Sequence, residues 1–505
     1  MVAALGKDYS WDFRNYHWYI PYAFLNGRMD ANIAVAHQAT YYNPFLDIPF
    51  YILATHLHAW MALGILGLLQ GANIVPLYAI ARSILRVENG RVVAAALSLL
   101  CMTGSLTIHL AGTTYYDNVM SVLILSGLAV IIVYRRQLQS GTLLEGAAIA
   151  GFSGLLVGSA VGLKLPEAPF ALGFAVSLLI IPGDWPHRTT RFLAGAAGGA
   201  GGLAVFAGIW MIKMAHLTGN PLFPYFNEYF RSPLALHASY RDLRFIPRHL
   251  DVQLLFPLLF SIDWRVADDL PFQDIRVGVA YILIVVTPLL RITAPKRACP
   301  IIDPPAAWAL IGFSAIAYLA WLKVFAIYRY ILLLEILAPI LIAAAISQWP
   351  FSRRVQLVLT GSLLLVCVAT MKTSVSGRMP VTDPYVQVAV PPIAHPDHTM
   401  ILMTGIEPMG YLAPSLPPQI PIIRIDGWMI QPGDGSELTR EARKRVVAFH
   451  GDLFALFKGA EIVRSRDSLR AYGLAMEPSA CRNIVSNLGG PYEFCPVIRI
   501  SSPAS

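Results

Sequence analysis

Residues 330–347 read YILLLEILAPILIAAAIS, and this stretch decides the class of fold. Glu335 is its only charged residue, and its length approaches the roughly 20 apolar residues that a helix needs to cross a bilayer. Similar apolar runs recur along the chain. The sequence therefore predicts a mainly α, polytopic transmembrane bundle of about ten spans, at 57–85, 91–110, 118–134, 145–163, 166–182, 192–214, 277–291, 306–324, 330–347 and 355–371.

The composition agrees with a membrane protein and argues against other classes. Hydrophobic residues make up 56% of the 505 residues and charged residues only 13%, unlike an ordinary soluble domain. The net charge of +8 is concentrated in short loops, without a long basic run or an RNA-binding motif. We therefore expect contact with membrane lipid and no nucleic-acid partner.

Arginine and lysine gather in every second loop between the predicted spans. Bacterial membranes keep such loops on the cytoplasmic side, so the bias orients the chain in the inner membrane. Residues 1–56, the loop 215–275 within the transmembrane domain 57–374, and residues 375–505 are then periplasmic. The cytoplasmic cations are Arg82, Arg86, Arg91, Arg135, Arg136, Arg188, Arg191, Arg291, Lys296, Arg297, Arg353 and Arg354.

Residues 1–56 are predicted as a first periplasmic segment without a span or signal peptide of their own. Either the span 57–85 inserts with its amino end outward, or a further span precedes this sequence. The second interpretation is favoured because Asp12 would follow such a span directly. The Tyr- and Trp-rich stretch 15–28 predicts a helix on the membrane surface, since rings with a polar tip suit headgroup depth.

From about residue 375 the composition changes to that of a small periplasmic α/β domain. Residues 399–406, 420–425 and 494–500 are predicted as strands, and 439–458 as a helix with an exposed basic face. We expect this tail to cover the active face or to hold an acceptor.

Two cysteines of the tail, Cys481 and Cys495, lie in a region predicted to be oxidising. A disulfide between them is one expectation, and two free thiols are the alternative.

Candidate chemistry begins in the segment SWDFRNYH, residues 10–17. Asp12, Arg14 and His17 place a carboxylate, a guanidinium and an imidazole close together, beside aromatic rings. Aromatic faces with polar side chains recognise sugars, and a carboxylate at such a site can take a proton from an acceptor. The alternative interpretation is a solvated loop with interfacial aromatic residues.

Three more charged residues fall on the same predicted face: Asp117, Lys164 and Arg329. An acid at this depth is expected to have a partner or a task, and the cations suit a lipid-linked phosphate. The alternatives are an acid held by the helix dipole and cations that reach the interface. Glu335 is expected to be a paired structural acid or to line a cavity.

No metal site is predicted from ligand spacing. His56, His58 and His109 show no pattern of a specific site, and we interpret them as polar cavity residues. Asp12 and Asp117 could together hold Mg²⁺ or Mn²⁺, because these ions prefer oxygen ligands.

These features together resemble the polytopic GT-C glycosyltransferases, and among them the bacterial relatives of the protein O-mannosyltransferases and the lipid A aminoarabinose transferase. The resemblance covers roughly residues 8–371 and consists of layout plus short motifs. Its elements are acids outside the first span, an interfacial helix, Asp117 at a periplasmic turn, the loop GNPLFPYFN at 219–227, ArgTyr at 329–330 and a periplasmic α/β tail.

In that family an acid of the first periplasmic loop is catalytic or activates the acceptor, and the matching position here is Asp12. The resemblance implies a polyprenyl-phosphate sugar donor, with Lys164 and Arg329 as candidates near its phosphate. Phe13 stands where a second acid often follows, which weakens the expectation of a metal-dependent reaction. No other cofactor is implied.

The prediction is therefore an inner-membrane glycosyltransferase that moves a monosaccharide from polyprenyl phosphate to a periplasmic glycan, lipid or protein acceptor. Asp12 would activate the acceptor, Lys164 and Arg329 would stabilise the departing phosphate, and single in-line displacement would invert the anomeric centre. The remaining substrate-binding candidates are Arg14, His17, Asp117 and Asn227.

Two other classes of protein stay open: a polytopic transporter or lipid flippase, and a non-catalytic envelope assembly protein. Transporters often show internal repeats and charges near the bilayer midplane. The sequence shows no repeat, and its charges gather at one predicted face, which favours the enzyme.

Overall fold

The computed structural model describes residues 2–293 and 299–500. The chain is mainly helical, with a sheet region in its carboxyl-terminal part. Two of the predicted cytoplasmic cations, Lys296 and Arg297, lie outside the described residues. The chain forms two compact units: the first comprises Met1–Gly64, Ile209–Arg241 and Gly377–Ser505, and the second comprises Ile65–Gly208 and Asp242–Ser376.

Within the described residues, six helices are long and apolar enough to cross a membrane, and each coincides with a predicted span. They are Ala59–Ile84, Leu143–Leu163, Trp185–Thr218, Pro304–Val324, Tyr328–Ser347 and Arg353–Thr370. The other predicted spans are helical too, at Gly90–Cys101, Asp117–Val133, Ala168–Ile180 and Arg276–Thr293. The prediction of a mainly helical chain with helices able to cross a membrane is confirmed; the count of ten spans and their orientation stay predictions.

The predicted span 91–110 is not one helix. A helix covers Gly90–Cys101, and after a break the short helix Ser105–His109 follows. The Glu335 carboxylate accepts hydrogen bonds from the backbone N–H of Thr107 at 2.8 Å and from its hydroxyl at 2.7 Å. Glu335 therefore caps the first turn of the short helix from a distant part of the chain, which is a structural role.

Two membrane-type helices of the second unit, Leu143–Leu163 and Trp185–Leu203, pack through glycine. The first begins with a capping box at Thr142. A Cβ atom added at Gly158 would lie 2.0 Å from the carbonyl oxygen of Gly199. Small residues allow membrane helices to approach this closely, because their backbones can then touch directly.

The predicted loop 215–275 is partly helical, with the 13-residue apolar helix Leu250–Ile262. Shorter helical segments elsewhere are Val2–Leu5, Phe13–His17 (π-helical), Tyr19–Leu25, His37–Tyr41 (3₁₀), Ile48–His56, Arg135–Ser140, Leu165–Glu167 (3₁₀), Asn227–Phe230, Gly410–Ser415 (3₁₀), Glu437–Ala448 and Ile462–Ala471.

The strands of the first unit form a two-stranded and a seven-stranded sheet. In chain order they are β1 (Lys7–Asp8), β2 (Arg378–Met379), β3 (Val388–Ala389), β4 (Thr399–Met403), β5 (Ile422–Arg424), β6 (Asp452–Lys458), β7 (Leu474–Met476), β8 (Arg482–Ser486) and β9 (Gly489–Arg499). The larger sheet runs β3-β8-β9-β6-β4-β5, and β7 pairs with β9. Strand β4 lies between β5 and β6 and is parallel to both.

The α/β character predicted for the tail agrees with this sheet, but one boundary was wrong. The predicted helix 439–458 ends at Ala448, and its last third is the strand β6. Leu453, Ala455 and Phe457 are buried in that strand, with an alternation typical of a sheet. The predicted bridge Cys481–Cys495 is formed, so the alternative of two free thiols is excluded.

The amino-terminal segment belongs to the same compact unit as the tail. Its stretch 15–28 is largely helical, as predicted, but its aromatic side chains do not form an exposed surface. Trp18 is only 5% exposed and Tyr19 is fully buried. Trp18 packs against Tyr51 and Tyr385, with ring centroids 4.8 and 6.3 Å away. These rings build the core of the first unit, which the composition of the stretch could not separate from an interfacial role.

Candidate functional site

The predicted site residues are divided between the two compact units. Asp117, Lys164 and Arg329 belong to the second unit. Asp12, Arg14, His17 and Asn227 belong to the first.

In the second unit, Lys164 and Asp117 form an ion pair. Lys164 follows the helix Leu143–Leu163, and its ammonium donates a hydrogen bond to the Asp117 carboxylate and another, of 2.8 Å, to the carbonyl oxygen of Tyr115. Asp117 is the first residue of its helix, where the helix dipole favours a negative charge. Its side chain is 2% exposed, so the carboxylate depends on Lys164 for charge compensation.

Arg329 lies at the same place, on two tyrosine rings. Its guanidinium carbon is 4.2 Å from the ring centroid of Tyr115 and 5.3 Å from that of Tyr330. The ammonium of Lys164 lies 5.4 Å from the Tyr330 centroid. The two cations and Asp117 thus share one site, organised by two aromatic rings through cation–π contacts.

Tyr115 and Tyr330 are not among the predicted site residues, although Tyr115 lies two residues before Asp117 in the motif YYD and Tyr330 directly follows Arg329. The sequence shows that each tyrosine is near a charged residue of the site. That Tyr115 also packs on Arg329, more than two hundred positions away, is visible only in the structure.

Two further acids of the second unit belong to this cluster. The backbone N–H of Arg329 donates a 2.7 Å hydrogen bond to the Asp268 carboxylate. Burial raises the pKa of Asp268 to about 6, and the nearby charge of Arg329 opposes that rise. Glu167 is 3% exposed and interacts electrostatically with both Lys164 and Asp117. The cluster therefore combines three acids with two cations, and the cations are only half-buried.

In the first unit, His17 forms a buried pair with Asp47. The Nδ1 atom of His17 lies 2.7 Å from the Asp47 carboxylate. The ring of Tyr16 lies 4.0 Å from the imidazole, and beyond it the half-buried rings of Tyr42 and Tyr225 stack 5.2 Å apart. The arrangement is an imidazole oriented by a carboxylate beside a partly exposed aromatic surface.

The other predicted residues of the first unit have different surroundings. The Arg14 guanidinium lies 4.2 Å from the ring centroid of Tyr9 and donates to its hydroxyl at 3.3 Å. Asp12 is half-buried and immediately precedes the π-helical turn Phe13–His17.

Asn227 is fully buried, and its amide holds its own loop together. Its oxygen accepts from the backbone N–H of Ser232 at 2.9 Å, and its amino group donates to the carbonyl oxygens of Ser232 (3.0 Å) and Leu236 (2.9 Å). These bonds give Asn227 a structural role in the loop. Its predicted contact with a sugar has no support from this geometry.

One group of three potential metal ligands occurs among the described residues: Cys481, Glu493 and Cys495. Both thiols are joined in the disulfide, so they are not available as thiolate ligands. The possible pairing of Asp12 with Asp117 on a divalent ion stays a prediction.

Comparison with known proteins finds no match to a family model, to a curated protein or to a solved structure. A functional proposal for this chain therefore depends on its own residues and their geometry.

Proposed function

We propose that this chain is a membrane glycosyltransferase that moves a monosaccharide from a polyprenyl-phosphate donor to a cell-envelope acceptor at the periplasmic face of the bacterial inner membrane. The observation that carries the proposal is the cluster of Lys164 and Arg329 around Tyr115 and Tyr330, beside Asp117. It lies at the ends of apolar helices, where the headgroup of a lipid carrier would be found.

The two cations suit a phosphate for electrostatic reasons. Arginine offers a planar set of donors that matches phosphate oxygens, and lysine adds a compact point charge. Negative charge grows on the lipid phosphate as the bond to the sugar breaks. Fixed cations at that position stabilise the transition state more than the ground state.

Asp117 has a distinct part in this proposal. It holds the ammonium of Lys164 before a donor binds, so that the lysine need not be ordered when the phosphate arrives. The donor phosphate would then compete with the carboxylate for the same ammonium. Glu167 and Asp268 add negative charge around the cations, so both Lys164 and Arg329 are needed to hold the singly charged phosphodiester of the donor.

The first unit would supply the acceptor side. Asp12 is proposed to take the acceptor proton or to orient the nucleophile, followed by a single displacement with inversion. The His17–Asp47 pair and the neighbouring tyrosine rings favour an acceptor rich in hydroxyl groups, because rings pack on sugar faces while the imidazole bonds to a hydroxyl.

The test uses purified full-length protein in lipid nanodiscs with polyprenyl phosphate that carries a radiolabelled monosaccharide. Transfer should fall by roughly a hundredfold or more in Arg329→Gln, as expected for loss of a charge that stabilises the leaving group. Asp12→Asn should abolish transfer while the protein remains folded. Arg443→Gln is the matched control, since the Arg443 guanidinium also packs on a ring, 4.5 Å from the centroid of Tyr472, but in the tail.

The outcomes separate the alternatives. Full activity of Arg329→Gln would remove the phosphate site, and full activity of Asp12→Asn would remove the proposed base. In sealed proteoliposomes, movement of the labelled lipid between leaflets without transfer would identify a flippase, and neither transfer nor movement with any donor would favour an assembly protein.

A further inference from the structure

The cation cluster of the second unit is built from two chain segments that are far apart in sequence. One segment, 105–117, supplies Tyr115, and the other, 328–330, supplies Arg329. The guanidinium of Arg329 packs on the Tyr115 ring across the junction between them, with its central carbon 4.2 Å from the ring centroid. The geometry of the site therefore depends on what holds the two segments together.

One fully buried carboxylate, that of Glu335, bonds to both segments. In the first segment, its Oε1 atom accepts from the backbone N–H of Thr107 at 2.8 Å and from the Thr107 hydroxyl at 2.7 Å. In the second segment, its Oε2 atom accepts from the hydroxyl of Tyr328 at 2.9 Å. Glu335 thus bridges the two segments, and the bonds to Thr107 and to Tyr328 are the two arms of this bridge.

The surroundings of Glu335 suit this bridge in space and in charge. A Cβ atom added at Gly104 would overlap the Glu335 carboxylate, so glycine allows the carboxylate to reach the helix that follows. The first residue of that helix, Ser105, donates its backbone N–H to Asp274 at 3.0 Å. Arg276 pairs with Asp274 at 2.9 Å and interacts electrostatically with Glu335, so one guanidinium compensates both buried acids.

The first arm leads to Tyr115 through the backbone. The carbonyl oxygen of Thr107 accepts a 3.1 Å hydrogen bond from the side-chain amide of Asn118, near the start of the next helix. Tyr115 lies in the short connection between these two residues. A 3.1 Å bond from the Gln70 amide to the Thr113 carbonyl holds the same connection. The bond from Thr107 to Glu335 therefore fixes the stretch of chain that carries the Tyr115 ring.

The second arm leads directly to Arg329. Tyr328 immediately precedes it and is fully buried, with its ring stacked on Phe272 at a centroid distance of 4.0 Å. The backbone N–H of Arg329 is bonded to Asp268 at 2.7 Å. Because the Tyr328 ring is held on its face, the bond from its hydroxyl to Glu335 fixes the backbone from which the Arg329 side chain extends.

We propose that Glu335 is the positioning residue of the donor site, which holds Arg329 and Tyr115 at the separation that receives the donor phosphate. The proposal rests on the proposed function, because it takes that phosphate as the ligand. Glu335 acts through Arg329 and not by contact with the substrate. Its effect depends on the reach of the side chain, since both arms must be bonded at once and small displacements of a binding group are costly.

The test measures binding of farnesyl phosphate to the full-length protein in nanodiscs by isothermal titration calorimetry, with farnesol to correct for partition into lipid. Tyr328→Phe removes one arm and should weaken binding by about tenfold, as expected for a disturbed hydrogen bond to a charged group. Tyr411→Phe is the matched control and should bind like the wild type. Tyr411 is also fully buried, and its hydroxyl donates a 3.0 Å bond to Ser486 in the tail.

Two further comparisons separate positioning from a general loss of structure and from an effect of charge. In the Arg329→Gln background, Tyr328→Phe should weaken binding no further, because the group through which it acts is gone. Glu335→Asp keeps the charge but shortens the side chain by one methylene, whereas Glu335→Gln keeps the length without the charge. We expect Glu335→Asp to weaken binding by about tenfold and Glu335→Gln to weaken it distinctly less.

The outcomes distinguish a failure of this inference from a failure of the proposed function. Wild-type affinity in Tyr328→Phe would overturn the inference and leave the phosphate site in place. A further loss in the double variant with Arg329→Gln would show a general structural effect, and a stronger loss in Glu335→Gln than in Glu335→Asp would show an effect of charge; either would overturn it too. No binding of farnesyl phosphate by the wild type beyond that of farnesol would remove the proposed phosphate site, and the inference with it.

Discussion

The Asp117–Lys164 pair makes a quantitative prediction about stability. Lys164→Met retains the apolar stem of the side chain but leaves the Asp117 carboxylate, 2% exposed, without its ammonium partner. Breaking a buried ion pair by removing one partner costs about 3–5 kcal/mol. Because the Lys164 side chain is 15% exposed and water can reach it, we expect the lower end of that range, about 3 kcal/mol.

The double variant Asp117→Asn/Lys164→Met should recover most of this loss, since no unpaired charge remains. The coupling energy of the double-mutant cycle should then be about 2–3 kcal/mol. The measurement is equilibrium unfolding in detergent followed by tryptophan fluorescence. Lys213→Met is the control: the Lys213 ammonium lies 5.5 Å from the Trp210 ring centroid, a contact expected to contribute only about 0.5–1 kcal/mol.

The reasoning would be refuted by a loss below about 1 kcal/mol in Lys164→Met, the size typical of exposed ion pairs. It would also be refuted by a double variant no more stable than the single one. The double variant should still fail to transfer sugar, because restored stability does not restore the cation.

Three further predictions concern packing, titration and the disulfide. Gly158→Ala should destabilise the protein by about 1–3 kcal/mol, because its Cβ would lie 2.0 Å from the Gly199 carbonyl oxygen. In the control Gly146→Ala, in the same helix, the added Cβ meets nothing within 4 Å, so the change should be neutral or slightly stabilising. Equal effects of the two substitutions on equilibrium unfolding would contradict the close helix contact. Burial raises the pKa of Asp268 to about 6, so the folded protein binds this proton more tightly than the unfolded chain does. This contribution to stability is present at low pH and is lost as the pH rises through about 6. Asp268→Asn should flatten that fall, and an unchanged pH profile of stability would argue against burial of Asp268. The Cys481–Cys495 disulfide closes a loop with a sequence separation of 14, so its reduction should destabilise the tail by about 3 kcal/mol. Peptide mapping without reductant should recover the two cysteines as a bridged pair. Two alkylated thiols at these positions would contradict the structure.

The sequence predicted the helical body well because long apolar runs have few other solutions. In the described part of the chain, the six helices that could cross a membrane all coincide with predicted spans. The break after residue 101 could not be predicted, because the Glu335 carboxylate that caps the helix after the break comes from more than two hundred residues further along the chain. The strand β6 was predicted as helix because its short apolar run has no period long enough to distinguish the two.

The sequence predicts only part of the candidate cluster. Asp117, Lys164 and Arg329 lie together, as their common position at helix ends indicated, but Tyr115, Tyr330 and Asp268 were found only through tertiary contacts. Asn227 illustrates the opposite case. The sequence predicts a ligand contact for this polar residue of an aromatic loop, and the structure shows its buried amide bonded to the backbone of that loop. Its contact with a sugar stays a prediction. Trp18 and Tyr19 are predicted at a membrane surface but are buried in the core of the first unit. The sequence cannot separate the two positions, because aromatic rings suit a core and a membrane surface equally well.

The central claim is that Lys164 and Arg329 receive the phosphate of a polyprenyl carrier. The most direct measurement is an experimental structure of the full-length protein in a nanodisc with bound polyprenyl phosphate. We predict phosphate density within hydrogen-bond distance of the Lys164 ammonium and the Arg329 guanidinium, beside the Tyr115 and Tyr330 rings. A phosphate bound elsewhere, with Lys164 still paired to Asp117 and Arg329 still on its tyrosine rings, would contradict the account.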